Sequence, residues 1–152
     1  MADIAAFPTI RNVLISGDNI ITYTAAAAIK AGQVVAFNAT GVSDTVQACA
    51  AGTTLGIAGV ALYDAALGAK VAVAGPGCVC NVVNGIQATN WDAGTFLKAY
   101  GTTTAGTVCE AAITGGVAPL NIVGLAIENN TATTAGTASK VLVTSGTITA
   151  AA

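Results

Sequence analysis

Seven short runs rich in Val, Ile and Thr recur along this chain at 34–38, 55–62, 70–74, 79–83, 95–100, 121–128 and 140–144, separated by segments carrying Gly, Asn or Pro. Runs of this length between turn formers read as strands, and their dense spacing predicts an all-β fold, a compact β-barrel or sandwich. In Val71-Ala72-Val73 and Val141-Leu142-Val143 the valines point to one face while an apolar residue faces the other, so both strands are expected to be buried on both sides. Asn84-Gly85, between Val82-Val83 and Ile86, is the best hairpin-turn signal. Helix signals are weak: the Ala25 to Ala28 run stops at Gly32, and a short helix over 63–67 would end at Gly68.

The same segments repeat. Ala31-Gly32-Gln33-Val34-Val35 lines up with Ala93-Gly94-Thr95-Phe96-Leu97 at an offset of 62, and Thr45-Val46 with Thr107-Val108 at the same offset. Gly59-Val60-Ala61 matches Gly124-Leu125-Ala126 at 65, and Lys70-Val71-Ala72-Val73 matches Lys140-Val141-Leu142-Val143 at 70. A growing offset is what loop insertions produce. The alternative is chance matching, which biased composition favours. The expected organisation is an N-terminal arm or hairpin over 1–24 and one β domain over 25–152, with candidate repeats at 25–75 and 91–146.

Composition limits what such a domain does. Ala, Thr, Gly and Val number 34, 21, 18 and 16 of 152 residues, so the chain is apolar without being bulky. Charged residues make up 8% against about 25% in an ordinary soluble domain. A free monomer would have few charges to keep it in solution, so part of its surface is expected to be covered by copies of itself or by a partner. The five basic residues, Arg11, Lys30, Lys70, Lys98 and Lys140, are scattered, which argues against nucleic-acid binding. Every long uncharged run is broken by Gly, Asn or Pro, so no membrane-spanning helix is expected, and the N-terminus lacks the basic and apolar regions of a secretory signal. Folding in a cytoplasm follows, with Cys49, Cys78, Cys80 and Cys109 as reduced packing groups.

Catalytic signals are missing. The chain has no His, which removes the usual general base, the Ser-His and Cys-His pairs and imidazole metal sites. Ser139 and Lys140 are neighbours and point to opposite faces of a strand. The carboxylates Asp3, Asp18, Asp44, Asp64, Asp92, Glu110 and Glu128 are far apart in sequence, with Asp18 and Asp92 in turn contexts. Gly75-Pro76-Gly77 lacks the third glycine of a dinucleotide fingerprint, and no Gly-Lys-Ser/Thr occurs. Trp91 reads as a core or interface anchor. No enzyme, catalytic residue, metal, cofactor or small-molecule substrate is expected.

The ordered series Ile29-Lys30-Ala31-Gly32-Gln33-Val34-Val35, Leu55 to Ala61, Gly68 to Val73, Trp91 to Leu97, Ile122 to Ala126 and Lys140 to Val143 resembles a family of small tailed-phage head decoration, or capsid cement, proteins. The resemblance covers residues 25–146. It implies a compact β-barrel-like fold, no catalytic residues, a place on the outer capsid surface of a virion made in a host cytoplasm, and a major capsid protein as partner. A homotrimer is expected, because symmetry buries sparsely charged surface and such proteins commonly sit where three subunits meet. The alternative from another class is a self-assembling coat or filament subunit that builds the shell or tube.

The segment 1–24 precedes both repeats and the resemblance. Pro8 restrains Phe7 and itself to extended backbone. Phe7, Pro8, Ile10 and Arg11 are therefore the candidate partner-contact residues, presented by an arm. Val13-Leu14-Ile15 and Ile20-Ile21 flank the turn Ser16-Gly17-Asp18-Asn19, so they would form a hairpin that joins a neighbour's sheet or completes the chain's own barrel.

Overall fold

The computed structural model describes residues 7–10, 12–38, 42–50, 56–85, 91–100, 104–111, 120–130, 138–144 and 147–148. Strands, and no helix, occupy these residues. In chain order they are β1 (Leu14–Ser16), β2 (Ile20–Ala25), β3 (Val34–Phe37), β4 (Thr45–Ala48), β5 (Ile57–Ala61), β6 (Lys70–Ala74), β7 (Val79–Val83), β8 (Phe96–Ala99), β9 (Val108–Glu110), β10 (Leu120–Ala126), β11 (Ala138–Val143) and β12 (Thr147–Ile148). Strands β2-β4-β3-β5-β6 close into a barrel. The second sheet runs β1-β7-β11-β10-β8-β9, with β12 also on β10.

The two sheets are the same unit built twice. Val35 pairs with Ala48 and Phe37 with Val46, as Leu97 pairs with Glu110 and Ala99 with Val108. Val34, Val35 and Ala36 of β3 face Val60, Gly59 and Ile57 of β5, and Phe96, Leu97 and Lys98 of β8 face Leu125, Gly124 and Ile122 of β10, each ladder with its register shift at the same step. Tyr23 opposite Val71 in β2–β6 becomes Val82 opposite Ser139 in β7–β11. The closing contact also recurs. The Ala26 N–H donates to the Val46 carbonyl at 2.8 Å, and the Gly85 N–H donates to the Val108 carbonyl at 3.0 Å, beside the parallel bridge of Asn84 to Val108. Asn84-Gly85 thus ends β7 against β9, in a parallel contact that a two-residue hairpin turn does not make.

The offsets of 62 and 65 read from the sequence are those of the ladders. The third differs. Val73 corresponds to Val141 and Ala72 to Lys140, an offset of 68, because a two-residue slip along a strand leaves every side chain on its face and is invisible to hydrophobic alternation. Glycine at 59 and 124 follows from the same architecture: a Cβ at either position would run into the carbonyl oxygen of Ala74 or of Leu142 on the next strand.

Inside the first barrel Ala25, Ile29, Val35, Val46, Ala58, Ala61, Ala65, Val71 and Val73 form one buried cluster. The equivalent positions of the second unit are also buried, but Asn84, Asn130 and Ser139 replace Ala25, Ala65 and Val71, and Trp91 replaces Ile29. A second cluster ties the units together. Val34, Ala36, Cys49, Val60 and Ala74 of the first unit pack with Cys78, Cys80, Val82, Leu97 and Val108 of the second. Each fully buried Val or Leu there stabilises by about 1.5–3 kcal/mol relative to exposure. The joint continues in hydrogen bonds: Val34 N–H donates to the Gly106 carbonyl at 2.9 Å, Gly106 N–H to the Cys49 carbonyl at 2.8 Å, and Gln33 Nε2 to the Ala105 carbonyl at 3.0 Å.

The 13–21 segment forms no hairpin. Strand β1 pairs with β7, Leu14 opposite Cys80, whereas β2 belongs to the barrel between β6 and β4. Val13, 3% exposed, is part of the shared core and holds β1 against the second unit. Gly17, at φ +112°, lies against Cys78, where a Cβ would collide, and Asn19 Nδ2 donates to the Pro76 carbonyl at 3.0 Å. The chain therefore crosses between units twice at one corner, at residues 17–19 and 75–78.

Candidate functional site at the N-terminal seam

Residues 7–10 lie where the two units meet. Phe7 is 7% exposed and packs with Val83 of the second unit, while Ile10 packs on the shared core. Beside them opens a cleft of about 330 Å³ whose walls include Pro8, Ile10, Lys30, Leu62, Tyr63 and Asp64.

Two turns of the first unit shape this cleft. Ile29 and Ala65 exchange both backbone hydrogen bonds, each at 2.8 Å, and so hold the 30–32 and 62–64 turns side by side. Asp64 Oδ1 accepts the Ala31 N–H at 2.8 Å, fixing its carboxylate at the rim, and Gln33 Oε1 accepts the Lys30 N–H at 2.8 Å. Gly32, at φ +89°, turns the chain under Ile10, and the conformation favours glycine over any L side chain. Tyr63, 67% exposed, stands over the opening.

The second unit repeats the frame with different groups. Trp91 and Asn130 exchange the backbone bonds at 3.1 and 2.8 Å, and Asn129 Oδ1 accepts the Ala93 N–H at 2.8 Å. By the same correspondence Asp92 stands where the first unit has Lys30, and Glu128 where it has Tyr63. The cleft at the first unit thus combines a repeated turn pair with the N-terminal segment laid beside it.

Of the four candidate contact residues, Pro8 and Ile10 line the cleft together, Phe7 is turned into the protein, and Arg11 lies outside the described residues. Lys30, Leu62, Tyr63 and Asp64 were not singled out from sequence. The available signal was the recurrence of Ala-Gly at 31–32 and 93–94, which marks the turn that brings them together.

The thiols are poor nucleophiles. All four are buried and none forms a disulfide. Burial pushes Cys49 and Cys109 up to about 11 and Cys80 up to about 12, Cys80 helped by neighbouring Cys78 and Cys109 by Glu110 against the pull of Lys98. At neutral pH Cys49, Cys80 and Cys109 are protonated and pack as small apolar groups. Among the described residues no three of Cys, Asp and Glu are grouped to hold a metal ion, and no helix is long and apolar enough to cross a membrane.

A doubled β unit with a shared core and a neutral cleft at its seam is the class of protein these features define. No protein-family model matches the chain. No curated protein matches it in sequence. In fold it is similar to the N base of the head fiber protein gp8.5 of bacteriophage phi29, with a TM-score of 0.53 and 16% identity over 82% of this chain and 92% of that one. That similarity is one of all-β architecture, and it spans both units.

Proposed function

We propose that this chain is a structural protein of a phage head, a decoration or cement protein that binds the outer surface of the shell and stabilises it. The observation that carries the reading is the fold similarity to a phage head fiber base, which extends over most of both chains. The sequence adds support: 8% charged residues and no His suit a protein whose surface is covered in an assembly and whose work is contact. The partner is then the major capsid protein, the location the virion surface, and the working form a homotrimer.

Attachment falls to the N-terminal seam, with Pro8, Ile10 and Arg11 as contacts and Phe7 anchoring the segment from beneath. Several copies of a weak contact held on one oligomer multiply through effective concentration, so modest affinity at each seam gives lasting attachment. The test is co-sedimentation with undecorated heads. Deleting residues 1–10 is expected to abolish attachment while the strands, which begin at Leu14, remain folded. Undiminished binding by the folded deletion variant would overturn the seam as the attachment site. Failure of the intact protein to bind its heads would overturn decoration itself.

A further inference from the structure

Correspondence between the units exposes an edge that is covered by a strand in one and, among the described residues, has no strand along it in the other, where the Ile20 N–H donates to the Asp18 carbonyl at 2.9 Å. Val79, Cys80 and Asn81 of β7 occupy the ladder positions of Ile20, Ile21 and Thr22 of β2. On β7 this stretch carries β1: Leu14 pairs with Cys80 and Ser16 with Val79, the Asn81 N–H donates to the Val13 carbonyl at 2.8 Å, and Asn81 Nδ2 donates to the Asn12 carbonyl at 2.7 Å. Cys80 is fully buried in the core that the two units share.

On β2, the Asn19 carbonyl accepts the Gly75 N–H and the Ala25 N–H donates to the Ala69 carbonyl, so residues 19, 21, 23 and 25 turn their backbone groups toward β6 and its extension. Thr22, between them, directs its N–H and carbonyl to the opposite side. Strand β4 reaches that side only at Thr24 and Ala25, and among the described residues no strand pairs with it at 20–22. Ile20 is 36% and Ile21 47% exposed.

Proteins usually blunt such an edge with a Lys, a Pro or a bulge. Residues 12–23 hold no Pro, no Lys and one charge, Asp18. Strand β1 also ends its own sheet, with Leu14 36% and Ile15 45% exposed, although its ladder to β7 shifts register between Leu14 and Ser16.

We propose that the β2 edge at Ile20–Thr22 is an interface between copies of this chain, filled by β1 of a second copy lying antiparallel along it. The occupant follows from the fold. Strand β1 already lies along the equivalent edge of β7, and among the described residues no strand pairs with its outer side. The contact joins two different surfaces, so it propagates head to tail and closes into a ring when the rotation allows. Backbone pairing supplies affinity, and Leu14, Ile15, Ile20 and Ile21 supply apolar cover. This rests on the oligomeric part of the proposed function and identifies the surface that part requires.

Sedimentation of the full chain, with Thr22→Pro and Ile20→Lys variants, tests it. Thr22→Pro removes the outward N–H and leaves the ladder to β6 with its donors, while Ile20→Lys places a charge on the edge. The intact chain is expected to be a discrete oligomer, and each variant to self-associate at least about tenfold more weakly with an unchanged circular dichroism spectrum. If Thr22→Pro fails to fold, Ile20→Lys carries the test. Folded variants that assemble like the parent would overturn the edge contact while leaving the oligomer intact, and a monomeric parent at high micromolar concentration would overturn both.

Discussion

The two units share a backbone and differ in what fills it. Their ladders agree residue for residue, down to the shift between Val35 and Ala36 and its counterpart in β10 between Ile122 and Gly124. Yet the barrel of the first unit is lined by Ala, Val and Ile, whereas the interior of the second unit holds a tryptophan, two asparagines and a serine. The difference teaches that strand register here is carried by positions where only small groups fit and by alternation along strands. The chemistry and size of the interior side chains have drifted between the units while the ladders stayed the same.

That comparison breaks most severely at its glycines. Gly59→Val and Gly124→Val each drive a side chain into the backbone of the adjoining strand, and each is expected to cost on the order of 4 kcal/mol or more and abolish cooperative unfolding. Urea titration checks both; tolerance at one site alone would show that the close approach is needed in only one unit.

Exchanging the large core residues comes next. Trp91→Ile, which gives the second unit the residue of the first, leaves a cavity and is expected to cost about 3 kcal/mol by the same titration. Exchanging the polar ones is gentler and differs in sign. Val71→Ser introduces a buried hydroxyl into an apolar cluster and is expected to cost about 2 kcal/mol. Among the described residues Ser139 Oγ is buried without a hydrogen-bond partner, so Ser139→Val is expected to be neutral or to stabilise by about 1 kcal/mol. A clear loss on Ser139→Val would show that the second interior satisfies its hydroxyl.

The smallest effect is a pH dependence. Buried thiols whose values lie above the ordinary 9.0 favour the folded state while they stay protonated in it. Their contribution is complete below about pH 8 and is lost as pH rises from about 9 toward 11 at Cys49 and Cys109 and toward 12 at Cys80. Cys49→Ala and Cys109→Ala should each flatten the alkaline fall in melting temperature, one from each unit, and an unaltered fall would show that these thiols do not cause it.

Much of this architecture was legible in the sequence. The runs at 34–38, 70–74 and 79–83 became β3, β6 and β7 because β-branched residues between turn formers leave few other choices. The duplication showed at Ala31-Gly32 and Ala93-Gly94 because that turn needs glycine at positive φ twice, +89° and +95°. What remained hidden was tertiary. Lys70 and Lys140 match in the sequence pattern, yet the structural partners lie two residues apart, a slip that alternation does not register. Nor does local turn chemistry reveal that β1 leaves β2 for β7, since Val13 is drawn there by a core assembled from both units. The cleft was hidden for the same reason: Pro8 and Tyr63 meet across 55 positions of chain.

Backbone hydrogen exchange on the intact protein tests the central claim, that the chain is one β unit built twice around a shared core. Equivalent amides donate equivalent bonds: Gly32 and Gly94, Ala61 and Ala126, Ala65 and Asn130, Cys49 and Ala111. The account predicts that slow exchange appears in both members of each pair and that both units open in a single cooperative step. Protection confined to one member of these pairs, or one unit opening well before the other, would contradict it.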